Sequence, residues 1–172
     1  MSITEQLINS RPLSRIRRNH GLEHATLHVL ANRHPGKRMA GYSDLSGFWI
    51  VADLPGQEIK DAADEALQRL SQGEHKLAVH PNCGTNFATA GSLAGLAGVF
   101  GMLGVGSRKR DKLERLPMVA VLGTLALIAA QPLGMKVQQY LTTSGNPGTL
   151  KIFKINETRR GRFQACRIIT KG

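Results

Sequence analysis

The sequence predicts an α+β fold in which a small soluble domain is interrupted by a two-helix transmembrane hairpin and completed by a C-terminal β-hairpin. Helical and strand-like apolar patterns occupy both ends of the 172-residue chain. Residues 84–106 and 117–135 contain no charged side chain, and each is close to the ~20 residues that cross a bilayer. The predicted parts are therefore a soluble α+β part at 1–83, the transmembrane hairpin at 84–135 and a β-hairpin at 136–172 that joins the soluble part.

The first element is a predicted helix over residues 13–32, which ends at His34-Pro35-Gly36. Residues 39–42 and 48–52 then predict a strand pair, because β-branched and aromatic residues are concentrated there. A second helix follows, with Asp53 as its cap, Pro55 in its first turn and Gly73 at its end. Apolar residues recur in it at helical spacing.

Residues 77–79 predict a short strand that leads into the first apolar segment. Beyond the second apolar segment, residues 150–155 and 163–170 predict the C-terminal β-hairpin after a turn rich in Gly, Asn and Pro. The soluble part would thus be built from both ends of the chain.

The most informative motif is His20-Gly21-Leu22-Glu23-His24, inside the first predicted helix. Residues four apart lie on one helix face, and Glu23 is on the same side. The pattern H-x-x-E-H inverts the H-E-x-x-H arrangement of zinc hydrolases, in which two imidazoles bind the metal and the carboxylate accepts a proton from water. Glu23 is therefore the candidate catalytic base, and His20 and His24 are candidate ligands.

A second cluster, His80-Pro81-Asn82-Cys83-Gly84-Thr85, supplies the further ligand that a tetrahedral site needs. Zinc is the expected metal, although another divalent transition ion would also accept nitrogen and sulfur donors. If His20, His24, His80 and Cys83 all bind, the site is closed and structural. If His20, His24 and Cys83 bind alone, a water completes the site, and His80 is an alternative ligand or a donor to a developing oxyanion.

A metal-free alternative makes Cys83 a nucleophile with His80 as its base, but it leaves H-x-x-E-H unexplained. His28 and His34 are interpreted as structural, and His75 as a solvated loop residue. Cys83 and Cys166 are interpreted as free thiols, since nothing else in the chain resembles a secreted disulfide scaffold.

The net charge of +11 favours the anionic face of a membrane over nucleic acid, because few aromatic residues and no DNA-binding motif accompany the basic groups. The expected partners are membrane lipids and other membrane helices, or a second copy of the chain packed through the small-residue positions Gly91, Gly95 and Gly98. No specific nucleic-acid partner is expected.

The expected location is the cell membrane as a multi-pass protein. The basic residues flanking the two apolar segments do not settle the orientation, because equal numbers lie on each side. A cytoplasmic soluble part is preferred, since no apolar signal precedes position 84.

The two motifs resemble the H-G-x-E-H and H-x-x-C-G-T-[SN]-F signature of the YqhQ-like bacterial membrane proteins, and residues 137–143 (VQQYLTT) resemble the stretch that follows the membrane segments of that family. The resemblance implies metal binding and a membrane location, with no substrate assigned. Residues 33–76 and the chain after Ser144 depart from that pattern. The chain thus resembles a smaller, divergent relative from an uncharacterised-domain family of photosynthetic bacteria.

The sequence therefore predicts a membrane-anchored, zinc-dependent, peptidase-like hydrolase acting at the membrane surface. Lipids and other amides are the next substrate classes. The alternative is a non-enzymatic assembly or structural subunit of a membrane complex whose metal fixes the fold. A metal site that keeps a water would favour the enzyme, and a closed site in a stable complex would favour the subunit.

Overall fold

The structure is a computed structural model that describes residues 10–160 and 163–172. The chain divides into two compact units: the first ends at His80 and resumes at Gln139, and the second is Pro81–Gln138. The described part is α+β, with four α-helices and one four-stranded sheet.

Two helices and all four strands belong to the first unit. Helix α1 is Arg11–Arg33 and helix α2 is Gly56–Ser71. The strands are β1 (Met39–Asp44), β2 (Gly47–Ala52), β3 (Lys151–Arg160) and β4 (Phe163–Lys171). These elements lie within two residues of the predicted ones at most ends, and β3 continues five residues beyond its predicted end.

The sheet has the order β1-β2-β4-β3, and every neighbouring pair is antiparallel. The pairing of β2 with β4 joins the N-terminal strand pair to the C-terminal hairpin. Helices α1 and α2 cover one face of the sheet, where Leu22, Phe48, Ile59 and Ile168 are completely buried. Burial of large aliphatic and aromatic side chains of this kind is the main source of stability for the unit.

A polar network fastens α1 to the sheet beside this apolar core. The Asn19 amide donates to the Asp44 carbonyl at 2.7 Å, and the Thr170 hydroxyl donates to Asn19 Oδ1 at 2.7 Å. Arg167 donates to Asp44 Oδ1 at 2.7 Å, and so does the Ser46 amide. The network fixes the β1–β2 turn against β4, because buried amides and hydroxyls are costly to leave without such partners.

Stability at acid pH should depend on Asp44. Burial alone would raise its pKa, but the Arg167 guanidinium and the amides of Ser46 and Gly47 outweigh burial and hold the pKa below its usual value. The carboxylate therefore stabilises the fold fully above about pH 4, and this contribution is lost as the pH falls through the folded-state pKa.

Because 37% of the Asp44 side chain is exposed, solvent screening limits the effect to about 0.5–1 kcal/mol. Asp44→Asn should lose that amount at pH 7 and show a shallower fall in the free energy of unfolding towards pH 3. The exposed Asp64→Asn provides a control, and an equal pH dependence in Asp44→Asn and the wild type would refute the assignment.

The second unit consists of helices α3 (Gly84–Gly101) and α4 (Lys109–Val137), and a π-helical turn, Gln138–Thr142, continues α4. The two helices pack together at their connected ends. A Cβ at Gly101 would lie 3.0 Å from Val119 and 3.3 Å from Leu122, so a glycine there permits close packing. A Cβ at Gly91, Gly95 or Gly123 would meet nothing within 4 Å.

The prediction of a two-helix transmembrane hairpin is wrong. Within the described residues only one helix, Lys109–Thr142, is long and apolar enough to cross a membrane. Helix α3 fails because glycine, threonine, serine and asparagine occupy half of its 18 residues and lower its hydropathy. A multi-pass topology is therefore not supported.

Two local predictions also fail. Residues 77–79 do not form a strand, because His75–Ala78 is a 3-10 helix. Asp53 does not cap α2: Pro55 occupies the N-cap position, and no side chain caps the helix. The fixed φ of proline suits the position before the first helical turn, which explains the shift of the helix start to Gly56.

Candidate metal centre

Three histidines lie on one face of α1, and each contacts a backbone carbonyl of the first unit. His20 Nδ1 is 3.0 Å from the Thr142 oxygen, and His24 Nδ1 is 2.8 Å from the Ala78 oxygen. His28 differs, since its Nε2 is 2.9 Å from the Val79 oxygen. The 3-10 helix, the residue that follows it and the π-helical turn thus supply the carbonyls that orient the imidazoles.

These contacts fix the chemical form of the neutral rings. A carbonyl only accepts, so the nitrogen beside it carries the proton. In His20 and His24 that nitrogen is Nδ1, which leaves the lone pair on Nε2. Metal-bound histidines are commonly held in this way, with one ring N–H donating to a carbonyl and the other nitrogen binding the metal.

His80 lies within the same group of rings. Its centroid is 5.6 Å from that of His24 and 4.9 Å from that of His28, while His20 and His24 are 4.4 Å apart. Burial lowers the pKa of His80, and the charge of neighbouring His28 lowers it further. Burial therefore favours the neutral form of the His80 imidazole.

Cys83 is the N-cap residue of α3, and its side chain is buried. The Thr85 amide donates to its sulfur at 3.4 Å, so the N-terminal turn of the helix favours negative charge on the sulfur. His20, His24 and Cys83 form a cluster whose donor atoms lie within 4.8 Å of one another. Such a cluster could hold a metal ion.

The donor set suits zinc or a related transition ion. Zinc takes histidine nitrogen at roughly 2.0–2.1 Å and cysteine sulfur at roughly 2.3 Å, so tetrahedral donors are roughly 3.3–3.7 Å apart. The cluster needs to contract by only about 1 Å to reach this separation. The His80 ring adjoins the cluster through His24, but His80 is not one of its three members.

Glu23 lies between the two histidines in sequence, and only 4% of it is exposed. Its carboxylate packs against the backbone of β1 at Gly41. A Cβ at position 41 would lie 2.3 Å from Glu23 Oε1 and 2.7 Å from Cδ. Glycine at position 41 therefore gives the carboxylate the space it occupies.

The structure also explains the glycine of the H-G-L-E-H motif. A Cβ on Gly21 would lie 2.2 Å from the Ser144 carbonyl oxygen, so the chain after the π-helical turn passes directly over α1. Arg17 holds the same segment by donating to the carbonyls of Tyr140 and Thr143, each at 3.1 Å. Sequence reasoning did not assign this segment to the site, although residues 137–143 were part of the family resemblance.

Gly21→Ala should consequently weaken both the fold and the metal site. Alanine normally stabilises a helix relative to glycine by about 1 kcal/mol. Here the new methyl group would displace the Ser144 backbone and, with it, the Thr142 carbonyl that orients His20. We expect a net loss of about 1–3 kcal/mol in the free energy of unfolding, measured by chemical denaturation, together with weaker zinc binding.

Gly123→Ala is the matched control, because its methyl group would enter open space on another helix. It should leave zinc affinity unchanged. If Gly21→Ala were as stable as Gly123→Ala, the close approach of Ser144 to α1 would be excluded.

The remaining histidines and the second cysteine lie apart from the cluster. His34 Nε2 lies against the Glu58 carboxylate. His75 Nδ1 lies 2.7 Å from the Gly145 carbonyl oxygen, so His75 makes a specific contact that a fully solvated loop residue would lack. Neither Cys83 nor Cys166 forms a disulfide, as predicted. Burial, with a smaller contribution from Glu157, raises the pKa of Cys166 to about 11, which makes this thiol unreactive.

Two polar side chains brace the second unit near Cys83. The Asn86 amide donates to the Pro81 carbonyl at 2.6 Å, and the buried Gln138 amide donates to Asn86 Oδ1 at 2.6 Å. A Cβ at Gly134 would lie 2.6 Å from Asn86 Oδ1, so α4 approaches the start of α3 closely at that point. Asn86 therefore fixes the start of α3, the helix that begins directly after Cys83.

Comparisons with known proteins give a family but no activity. The sequence pattern of a family described as a domain of unknown function, DUF6391, matches residues 15–155. An uncharacterised protein, SYNPCC7002_A1392 of Picosynechococcus sp. (strain ATCC 27264 / PCC 7002 / PR-6), is 35% identical over 144 residues, covering 78% of this chain and 68% of the relative. No solved structure matches. Residues 15–155, which match the family, include both motifs and the π-helical turn.

Proposed function

We propose that this chain, which belongs to the DUF6391 family, is a zinc-dependent hydrolase that acts at a membrane surface. The observation that carries the proposal is the cluster of His20, His24 and Cys83, three good zinc donors within 4.8 Å of one another. The resemblance of its motifs to those of the YqhQ-like proteins supports metal binding and a membrane location. Three protein ligands leave one tetrahedral position for water, which is typical of catalytic zinc.

The chain's own residues supply the rest of the mechanism. Thr142 and Ala78 carbonyls hold His20 and His24 in the form that exposes Nε2 lone pairs to the metal. Zinc, when bound, would polarise the scissile carbonyl and make a water molecule acidic enough to react near neutral pH. Glu23 would serve as the general base, which takes a proton from the attacking water and returns it to the leaving group.

Peptide bonds of a membrane-proximal substrate are the first candidate for hydrolysis. A base beside a zinc ligand pair is the arrangement that zinc peptidases use for stable amides. Lipids and other amides are the next candidate substrates, because a zinc ion and a general base would act on any ester or amide carbonyl that reaches them. His80, whose ring adjoins that of His24, is the proposed donor to the developing oxyanion.

Helix α4 is the proposed membrane anchor in the cell membrane. Most of the large side chains along its apolar stretch are exposed, among them Val121, Leu125 and Ile128, so the helix can bury them in the lipid of one membrane face. A helix that served as a soluble core would have these side chains buried. The unit that carries the three α1 histidines is proposed to lie on the cytoplasmic side.

Metal removal tests the proposed activity. Purified full-length protein should contain about one zinc per chain and cleave members of a fluorogenic peptide library attached to lipid vesicles. Dialysis against a chelator should abolish cleavage, and stoichiometric zinc should restore it. Cleavage that persists in zinc-free protein would point to the metal-free alternative with Cys83 as nucleophile.

A structural subunit is the second candidate. The ring of His80 adjoins that of His24, so His80 is the candidate fourth protein ligand of a closed site. The positions Gly91 and Gly95 on α3 have open space for a partner helix. Copurification in a stoichiometric membrane complex, with zinc present and no hydrolysis, would favour this function.

A further inference from the structure

We propose that the turn between α3 and α4 binds the phosphate headgroups of anionic phospholipids. This basic turn is defined as residues 102–116, which are the connection between the two helices and the first two turns of α4, and it contains the basic side chains Arg108, Lys109, Arg110, Lys112 and Arg115. The inference rests on the proposed membrane location, and it adds the class of lipid and the site that recognises it.

The charges of the basic turn are concentrated and accessible. Residues 106–110 are exposed, as is Lys112. The two acidic groups are engaged locally: Asp111 lies against the backbone of Gly106, and Glu114 pairs with Arg110 at 2.9 Å. Arg108, Lys109 and Lys112 therefore present positive charge at the surface of the second unit.

Apolar side chains flank these charges on both helices. Phe100 and Leu103 precede the basic side chains in the sequence, Leu113 lies among them and Leu116 follows them, and all four are exposed by 49–69%. A soluble anion would be attracted by the charges alone, whereas a lipid surface also accepts the exposed apolar groups. The combination of a basic cluster with adjacent large apolar side chains is typical of segments that bind anionic membranes.

The start of α4 gives a further reason for a headgroup site. Its first turns are basic, and the residues that follow from Leu116 to Met135 are uncharged and mostly apolar. When such a helix enters a bilayer, the charges at its end come to the depth of the lipid phosphates. Basic residues near the membrane surface strengthen attachment to anionic lipid, and salt weakens that attachment.

Flotation with preformed vesicles tests the inference. The full chain is mixed either with phosphatidylcholine vesicles or with vesicles in which phosphatidylglycerol replaces about a third of the lipid, at low and physiological salt. We expect a partition coefficient about tenfold higher on the anionic vesicles, with a difference that shrinks as salt rises. The triple variant Arg108→Gln, Lys109→Gln, Lys112→Gln should lose most of that preference while it still floats with neutral vesicles.

The matched control is Lys60→Gln, Lys151→Gln, Lys154→Gln, which removes the same charge from exposed positions of the first unit and should keep the preference. Equal partitioning of the wild type onto both kinds of vesicle would overturn the headgroup site and leave the anchor intact. Failure to float with either vesicle would overturn both. Transfer from anionic vesicles to an oligonucleotide at equal phosphate concentration would overturn the lipid assignment in favour of nucleic acid.

Discussion

Glu23→Gln should leave zinc bound and lower the rate of hydrolysis by about 10²–10⁴-fold, the range that a positioned general base contributes. Glutamine has nearly the same shape as glutamate, so it can occupy the space beside Gly41 without displacing β1. Its amide cannot accept the proton that the attacking water loses. Zinc content by elemental analysis and initial rates on the fluorogenic peptides are the two measurements.

Glu74→Gln controls for the loss of a carboxylate. Glu74 lies on the surface and pairs with Arg69 at 2.6 Å, so its replacement should change neither zinc content nor rate. Two outcomes would contradict the role of Glu23. One is an unchanged rate in Glu23→Gln; the other is loss of metal from that variant while its function in cells persists, which would make Glu23 a structural partner of the site.

Cys83→Ser should weaken zinc binding by at least about 100-fold, because even partners outside the coordination shell contribute 10–100-fold to affinity. A serine hydroxyl is a poor zinc ligand compared with a thiolate. The substitution is otherwise mild, since serine is favoured at the N-cap position that Cys83 occupies and its oxygen can accept from the Thr85 amide. Competition with a zinc chelator of known affinity measures the effect.

Cys166→Ser is the matched control for that experiment. Cys166 is completely buried on β4, so its replacement by serine should lower the free energy of unfolding by about 1–3 kcal/mol. Its zinc affinity should nevertheless equal that of the wild type. Wild-type zinc affinity in Cys83→Ser would remove Cys83 from the ligand set.

The elements that sequence predicts well are those whose signal is local. Helix α1 shows a long apolar periodicity, and β2 combines Phe48, Ile50 and Val51 in a short run. The position of His20 and His24 on one helix face follows from helix geometry alone. Cys83 was predicted because its residue type and its neighbours suited a metal, and the structure places its sulfur with both imidazoles.

The contacts that sequence did not predict join residues far apart in the chain. The Thr142 carbonyl orients His20 across 122 positions, and Arg17 holds the same segment. Every residue has a backbone carbonyl, so residue type does not show which carbonyl will accept a hydrogen bond. A π-helical turn likewise has no characteristic sequence pattern. The pairing of β2 with β4 depends on register across more than 110 residues, which periodicity does not specify.

The transmembrane hairpin was predicted for a different reason. Absence of charge predicts a membrane segment only when the residues are also strongly apolar. The glycines and polar residues of α3 make its transfer from water into a bilayer less favourable. Helix α4 is more apolar, and within the described part of the chain it alone has the length and hydropathy that a membrane span needs. The length of the two uncharged segments therefore predicts two helices, but it does not by itself predict two membrane spans.

X-ray absorption at the zinc edge of the purified protein tests the central claim most directly. An open catalytic site predicts one sulfur neighbour at about 2.3 Å, two imidazole nitrogens at about 2.0–2.1 Å and one further oxygen without imidazole multiple scattering. Three imidazoles with one sulfur would describe a closed structural site that includes His80. That result, or a zinc shell without sulfur, would contradict the proposed hydrolase centre of His20, His24 and Cys83.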